Sequence, residues 1–250
     1  MEKTTIESLI ARAHASKRGI LIEDSLAEHI ANDIGDTDIK NSTMYYYAMR
    51  ARVIDDYITM HLDRAPSDTT TVLYIGAHMS TAHSRIGNRC HAWYDIDTSS
   101  SITLMRQYID ESPNYRMIGV DDMLDIPLDR IESSTKAVVI IDNSYLNISI
   151  DDINSLLNAL PAKFDTIAVL IDTLTASGAK RLAHDKHMCH LVGVSHPHEL
   201  IANTLYNYVT EYSATPNYLM DTLPTLERLY YRAIHGRSQC HALYEYRYSM

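Results

Sequence analysis

Glycine is scarce in this chain. There are 8 in 250 residues, about 3% where about 7% is usual. That shortage leaves little room for the glycine-rich loops that cradle phosphates. Cysteine is also rare: Cys90, Cys189 and Cys240 are odd in number and far apart. On that count no disulfide framework is expected, and a reduced, cytoplasmic setting is the expectation. Basic charge is short. The chain carries 22 Lys+Arg against 32 Asp+Glu, a formal charge of −10, whereas a general nucleic-acid binder needs a basic face to neutralise phosphates. Long apolar runs are missing too. The longest, Ala137-Val-Val-Ile-Ile141, is of strand length, far below the roughly 18 residues of a membrane span. Met1 to Arg18 mixes charge with apolar residues, so no signal peptide is expected. Phenylalanine and tryptophan occur once each, as Phe164 and Trp93, against 18 tyrosines.

What is present describes a globular protein. Hydrophobic residues make up 46% and charged ones 22%, too apolar for a disordered chain. The apolar spacing predicts short helices over residues 4–17 and 25–34 and a longer one from Ser42 to Leu62. The pattern then changes to strand-length runs: Thr71–Ile75, His91–Asp97, Tyr115–Val120, Ala137–Ile141 and Thr166–Ile171. Helix-like stretches such as Ser99–Glu111 and Asp151–Leu160 lie between them. This alternation predicts βαβ units and a parallel sheet buried on both faces. Residues 206–218 and Gln239–Tyr248 alternate around a helix at Leu226–Ile234, predicting a terminal antiparallel hairpin. The expected organisation is a helical cap over residues 1–66 and a Rossmann-like α/β unit over 67–250, without repeats or linkers.

The loop after the first strand discriminates between ligands. Gly76 ends that strand, and Asp95 and Asp97 follow 19 and 21 residues later. That spacing suits a first βα turn followed by an acid that accepts from both ribose hydroxyls. A dinucleotide fingerprint also needs two further glycines, where this chain has His78 and Thr81. NAD and FAD are therefore disfavoured. S-adenosylmethionine (SAM) carries no phosphate and suits the loop better.

The residues at this point resemble a known family, the leucine carboxyl methyltransferase / polyketide (tetracenomycin-type) O-methyltransferase group of class I SAM-dependent methyltransferases. Ala11–Lys17 with Leu21–Ala27 is similar to the family's N-terminal D-P-L-A region, and Arg50-Ala-Arg-Val-Ile-Asp-Asp56 to its R-T-R-x-x-D-D helix. Tyr74–Ile86 sits where the family has its glycine loop, and Trp93-Tyr-Asp-Ile-Asp97 is close to W-Y-D-L-D. The likeness runs from about Ala11 to Ile171 and more weakly beyond. It implies a class I methyltransferase fold with a mostly parallel seven-stranded sheet, and SAM as co-substrate. It also implies roles. Arg50 would hold the methionine carboxylate. Gly76 and Ala77 would let the chain pass the ligand. Asp97, with Asp95 as the lesser candidate, would bind ribose. Leu124 and Asp125 would meet adenine, and Asp142 the methionine amino group.

The chain departs from the family at His78, Ser80, Ala82 and Asn143, all around the methionine half. Three readings follow. The preferred one is methyl transfer to a carboxylate or hydroxyl oxygen of a small metabolite. The second is attack on the aminocarboxypropyl chain, by transfer or by cyclisation to azetidine-2-carboxylate with release of methylthioadenosine. The third is a non-catalytic relative. His78, Asn143 and Tyr145 are the candidate catalytic residues, with His83 as another imidazole in reach of neutral pH. One or two of Tyr45, Tyr46 and Tyr47 are candidates to face a sulfonium. The histidines at 184, 187 and 190 lack a zinc signature, and no metal is expected. The expected partner is a small molecule, with a homodimer possible and no nucleic acid or membrane.

Overall fold

The computed structural model describes residues 3–35, 38–66, 69–122, 125–142, 148–182, 193–235 and 240–249. Helix α1 spans Lys3–Lys17, α2 Ser25–Ile34 and α3 Asn41–Asp63. Asp24 caps α2 by accepting from the Ala27 N–H at 3.0 Å, which satisfies one of the helix's orphan donors.

The sheet follows. Its strands are β1 (Thr70–Ile75), β2 (Ala92–Thr98), β3 (Tyr115–Val120), β4 (Ser134–Asp142), β5 (Phe164–Leu174), β6 (Asn207–Tyr212) and β7 (His241–Ser249). Their spatial order is β3-β2-β1-β4-β5-β7-β6. The first five are parallel, and β7 runs antiparallel to both its neighbours. The C-terminal pair is thus antiparallel as expected. It closes through the helices α8 (Asn217–Met220) and α9 (Thr225–His235) instead of a tight turn. This lets β7 insert between β5 and β6.

Connecting helices α4 (Ala82–Ile86), α5 (Ser99–Met105), α6 (Ile150–Ala159) and α7 (Ala176–Leu182) complete the βα units. Helix α5 stops earlier than its apolar pattern suggests, because residues just beyond it are used on the sheet edge. Arg106 donates to the Met117 carbonyl at 2.8 Å and Glu111 accepts from the Met117 N–H at 2.6 Å. These side chains occupy backbone groups that an edge strand otherwise leaves open.

The strands read as unbroken apolar runs because both faces are covered. One face (Val72, Tyr74, Trp93, Val138, Ile140, Leu170) packs with the cap helices α1–α3. The alternate residues (Leu73, Ile75, Ile96, Val139, Ile141, Val169) form the core of the other side with α6. The chain leaves β1 toward β2 and returns through β4, so β1 and β4 form the topological switch point where open α/β sheets bind ligands.

Candidate functional site

The backbone turns sharply beyond β1. Gly76 has φ +72°, a conformation that favours glycine, and His78 adopts φ +48° although it carries a side chain. The Gly76 and Ala77 N–H groups donate to the Ile96 carbonyl at 2.9 and 3.3 Å, drawing the loop over the end of β2. There the His78 N–H donates to the Asp97 carboxylate, and His78 Nδ1 lies 3.6 Å from the same oxygen. The Thr98 N–H donates to the other oxygen at 2.6 Å. Asp97 is buried.

Across the switch point stands Arg50. Helix α3 carries it inward, where Nη2 lies 2.6 Å from Asp142 Oδ2 and Nε donates to Asp172. Asp142 and Asp172 are register partners at the ends of β4 and β5, so one guanidinium serves two buried carboxylates. Burial pushes the Asp172 carboxyl upward, but Arg50 and His241 outweigh it and hold it below the ordinary value. His241 opens β7, with Nδ1 3.8 Å from Asp172 Oδ1. Its ring centroid is 5.6 Å from that of Tyr46. Burial, reinforced by Asp172, raises the Tyr46 hydroxyl well above its ordinary pKa.

A buried ionic network ties the cap to the loop. Arg12 of α1 contacts Asp24 at 3.1 Å and donates to the Met79 carbonyl. Arg85 of α4 meets Asp24 at 2.7 Å and grips both oxygens of Asp55 at 2.6 and 2.8 Å. Thr81 adds a hydroxyl donor to Asp24. Burial raises Asp55 despite Arg85, whereas burial of Asp24 is outweighed by Arg85 and Arg12, which hold it low.

Of the residues singled out from the sequence, Arg50, Ala77, His78 and Asp142 line one cavity, joined by Arg12 and Arg85. The cavity holds about 20 Å³, room for a water and not for a nucleoside. Asp95 points elsewhere. It accepts from the Trp93 indole at 2.7 Å and from the Tyr115 hydroxyl at 2.8 Å in the core. Burial, only partly offset by these donors, lifts it to about 6. His83 stacks on Tyr115 with centroids 4.0 Å apart, and burial lowers its pKa. Asp125 lies exposed beyond β3. Leu124, Asn143, Tyr145 and the histidines at 184–190 lie outside the described residues. Among the described residues no cluster of His, Cys, Asp or Glu is suited to a metal, and no helix is long and apolar enough to cross a membrane. The sequence reading missed Arg12, Arg85, Asp172 and His241. Only Asp172 left a signal, since it ends its strand as Asp142 does.

The fold has parallels among solved structures. A DUF574-family protein from Streptomyces avermitilis superposes with TM-score 0.56 and 11% identity, covering 95% of this chain and 96% of that one. The N-methyltransferase NodS from Bradyrhizobium japonicum WM9 gives 0.52 and 12%, over 80% and 97%. The plantazolicin methyltransferase BpumL, in complex with a triazolic desmethylPZN analog and SAH, gives 0.50 and 10%, over 99% and 98%. The fold is that of the class I methyltransferases. At these identities the likeness extends to the fold alone. No protein-family model matches the chain, and no curated protein matches it.

Proposed function

We propose that this methyltransferase-fold chain binds SAM at the β1/β4 switch point and transfers its methyl group to a carboxylate or hydroxyl oxygen of a small molecule. The carrying observation is the pairing of Asp97 with Arg50–Asp142 on opposite sides of one glycine-started loop. A carboxylate at the end of β2 suits vicinal hydroxyls. A guanidinium beside a carboxylate suits an amino acid's two charges. In this reading Arg50 takes the methionine carboxylate, Asp142 the ammonium, Asp97 the ribose, and Leu124 and Asp125 the adenine. The SAH found with BpumL supports the same choice of ligand.

SAM supplies an activated methyl carbon, so the chain has to position two reactants in line and exclude water. The His78 ring lies on the Asp97 side of the cavity, and we assign it to the ribose half. The narrow cavity requires this ring and the loop to move as the ligand enters. Calorimetric titration with SAM tests the reading, and no binding at millimolar SAM refutes it. Mass spectrometry then separates the chemistries. S-adenosylhomocysteine is the expected product, and methylthioadenosine formed without an acceptor would instead mark attack on the aminocarboxypropyl chain.

A further inference from the structure

Three polar atoms without hydrogen-bond partners lie on neighbouring side chains near the ends of β5 and β7: Tyr46 Oη, Asp172 Oδ1 and His241 Nδ1. All three atoms are buried. Buried polar atoms are nearly always satisfied, and each exception needs a reason. Three so close together share a reason most simply if one ligand group enters among them. They adjoin the proposed methionine end, because Arg50 touches both Asp172 and Asp142.

We propose that the methyl acceptor is an alcohol or phenol whose hydroxyl lies between Tyr46, Asp172 and His241, with His241 taking the hydroxyl proton. This rests on the SAM reading above and sharpens it. The gap of 3.8 Å between Nδ1 and Oδ1 is too long for a direct hydrogen bond. A hydroxyl set off that line points its single proton at Nδ1, and Asp172 Oδ1 is engaged by the positive charge that this proton brings to the ring. Tyr46 donates to the hydroxyl oxygen from the third side. A carboxylate acceptor fits worse, since Asp142 and Asp172 already share one guanidinium and a third anion would face Asp172 directly.

In the step itself the hydroxyl oxygen forms a bond to the methyl carbon. The C–S bond breaks, and its electron pair stays on sulfur as S-adenosylhomocysteine forms. The hydroxyl proton passes to His241 Nδ1, where Asp172 stabilises the imidazolium. Among the described residues His241 faces Asp172 and Tyr46, and Arg50 pairs with the same Asp172. The imidazole is partly open to solvent, at 17% of its side chain, which gives the proton an exit.

The test begins with SAM titration of wild type, which judges the underlying reading separately. SAH release is then measured with phenol, benzyl alcohol, benzoate and benzylamine, each as sole acceptor. The hydroxyl probes are expected to turn over fastest. His241→Gln should lower kcat at least about 100-fold, the range of a lost general base. It should also flatten the rise of kcat with pH, while SAM affinity holds within about three-fold. Tyr46→Phe removes an orphaned hydroxyl. It should keep or raise Tm while raising KM for the hydroxyl probes about tenfold. A merely structural tyrosine would leave KM unmoved, and that result counts against the proposal. Faster turnover of benzoate or benzylamine overturns it. So does a folded His241→Gln variant with wild-type kcat, or a SAM-binding wild type that releases no SAH with either hydroxyl probe.

Discussion

Asp95 shows how a single carboxylate can be given over to the core. It is fully enclosed, and its two donors come from Trp93 and Tyr115. Its pKa of about 6, against 3.8 in an open chain, means that the folded state binds its proton more tightly than the unfolded state does. Stability from this group is therefore full below pH 4. It falls as pH rises toward 6, by on the order of 3 kcal/mol in all. Asp95→Asn removes the charge at nearly constant shape. The variant should gain on wild type in urea denaturation as pH rises from 4 to 7. Parallel stability curves across that range would refute the assignment. His78 poses a different residue-scale problem, a side chain in a left-handed backbone lining the cavity. His78→Gly relieves the conformation and widens the space. Its Kd for SAM should fall about three- to tenfold in calorimetry, and weaker binding would show that the ring is a contact and not an obstacle.

The buried network of Arg12, Asp24, Asp55 and Arg85 joins α1, α2, α3 and α4 by charge. Breaking a buried pair leaves an uncompensated charge and costs about 3–5 kcal/mol, whereas replacing the whole pair by apolar groups is often neutral. Arg85→Ala should therefore destabilise the chain by about that amount in urea melts. The double variant Arg85→Met with Asp55→Leu should recover most of the loss. A single variant within 1 kcal/mol of wild type would show that the network is solvated. The elements themselves were largely legible in the sequence. The period-3.6 pattern over 25–34 became α2, and the apolar run Tyr115–Val120 became β3 with the same bounds. Strands β4 and β5 begin before their apolar runs, because pairing extends to Ser134–Phe164 and Lys136–Thr166 whatever the side chains prefer. The site was legible only where it follows the backbone. Gly76 and Asp97 keep a fixed spacing across one βα unit, and Arg50 sits in a helix motif. Asp172 and His241 lie 69 positions apart (241 − 172) and meet only because β7 inserts beside β5, and no local pattern records that insertion. Arg12 and Arg85 were invisible because their partners lie on other elements, and no local pattern records those contacts either.

At the scale of the whole molecule, cap and sheet share a core. Leu9, Met44, Ala48 and Ile54 of the cap belong to one apolar cluster with Val72, Trp93, Val138 and Leu170 of the sheet. The cap helices α1–α3 are contiguous in sequence and pack on one sheet face, together with residues of α5, α8 and α9. A fragment of residues 67–250 would expose that face, together with Asp172 deprived of Arg50. Large apolar faces left open drive aggregation, and a buried carboxylate without its cation costs several kcal/mol more. The fragment should be insoluble or lack a cooperative melt, while the full chain should unfold in a single transition. Saturating the full chain with SAM at about 100 times Kd should then add about 2.7 kcal/mol, raising Tm by several degrees, because ligand binding to the native state alone shifts the equilibrium by mass action. The cap contributes Arg50 to the proposed SAM site and Arg12 to the loop beside it, so the two effects are coupled. Should residues 67–250 melt cooperatively and still bind SAM with full affinity, the cap would be dispensable to both fold and site, and the shared core would carry no functional weight.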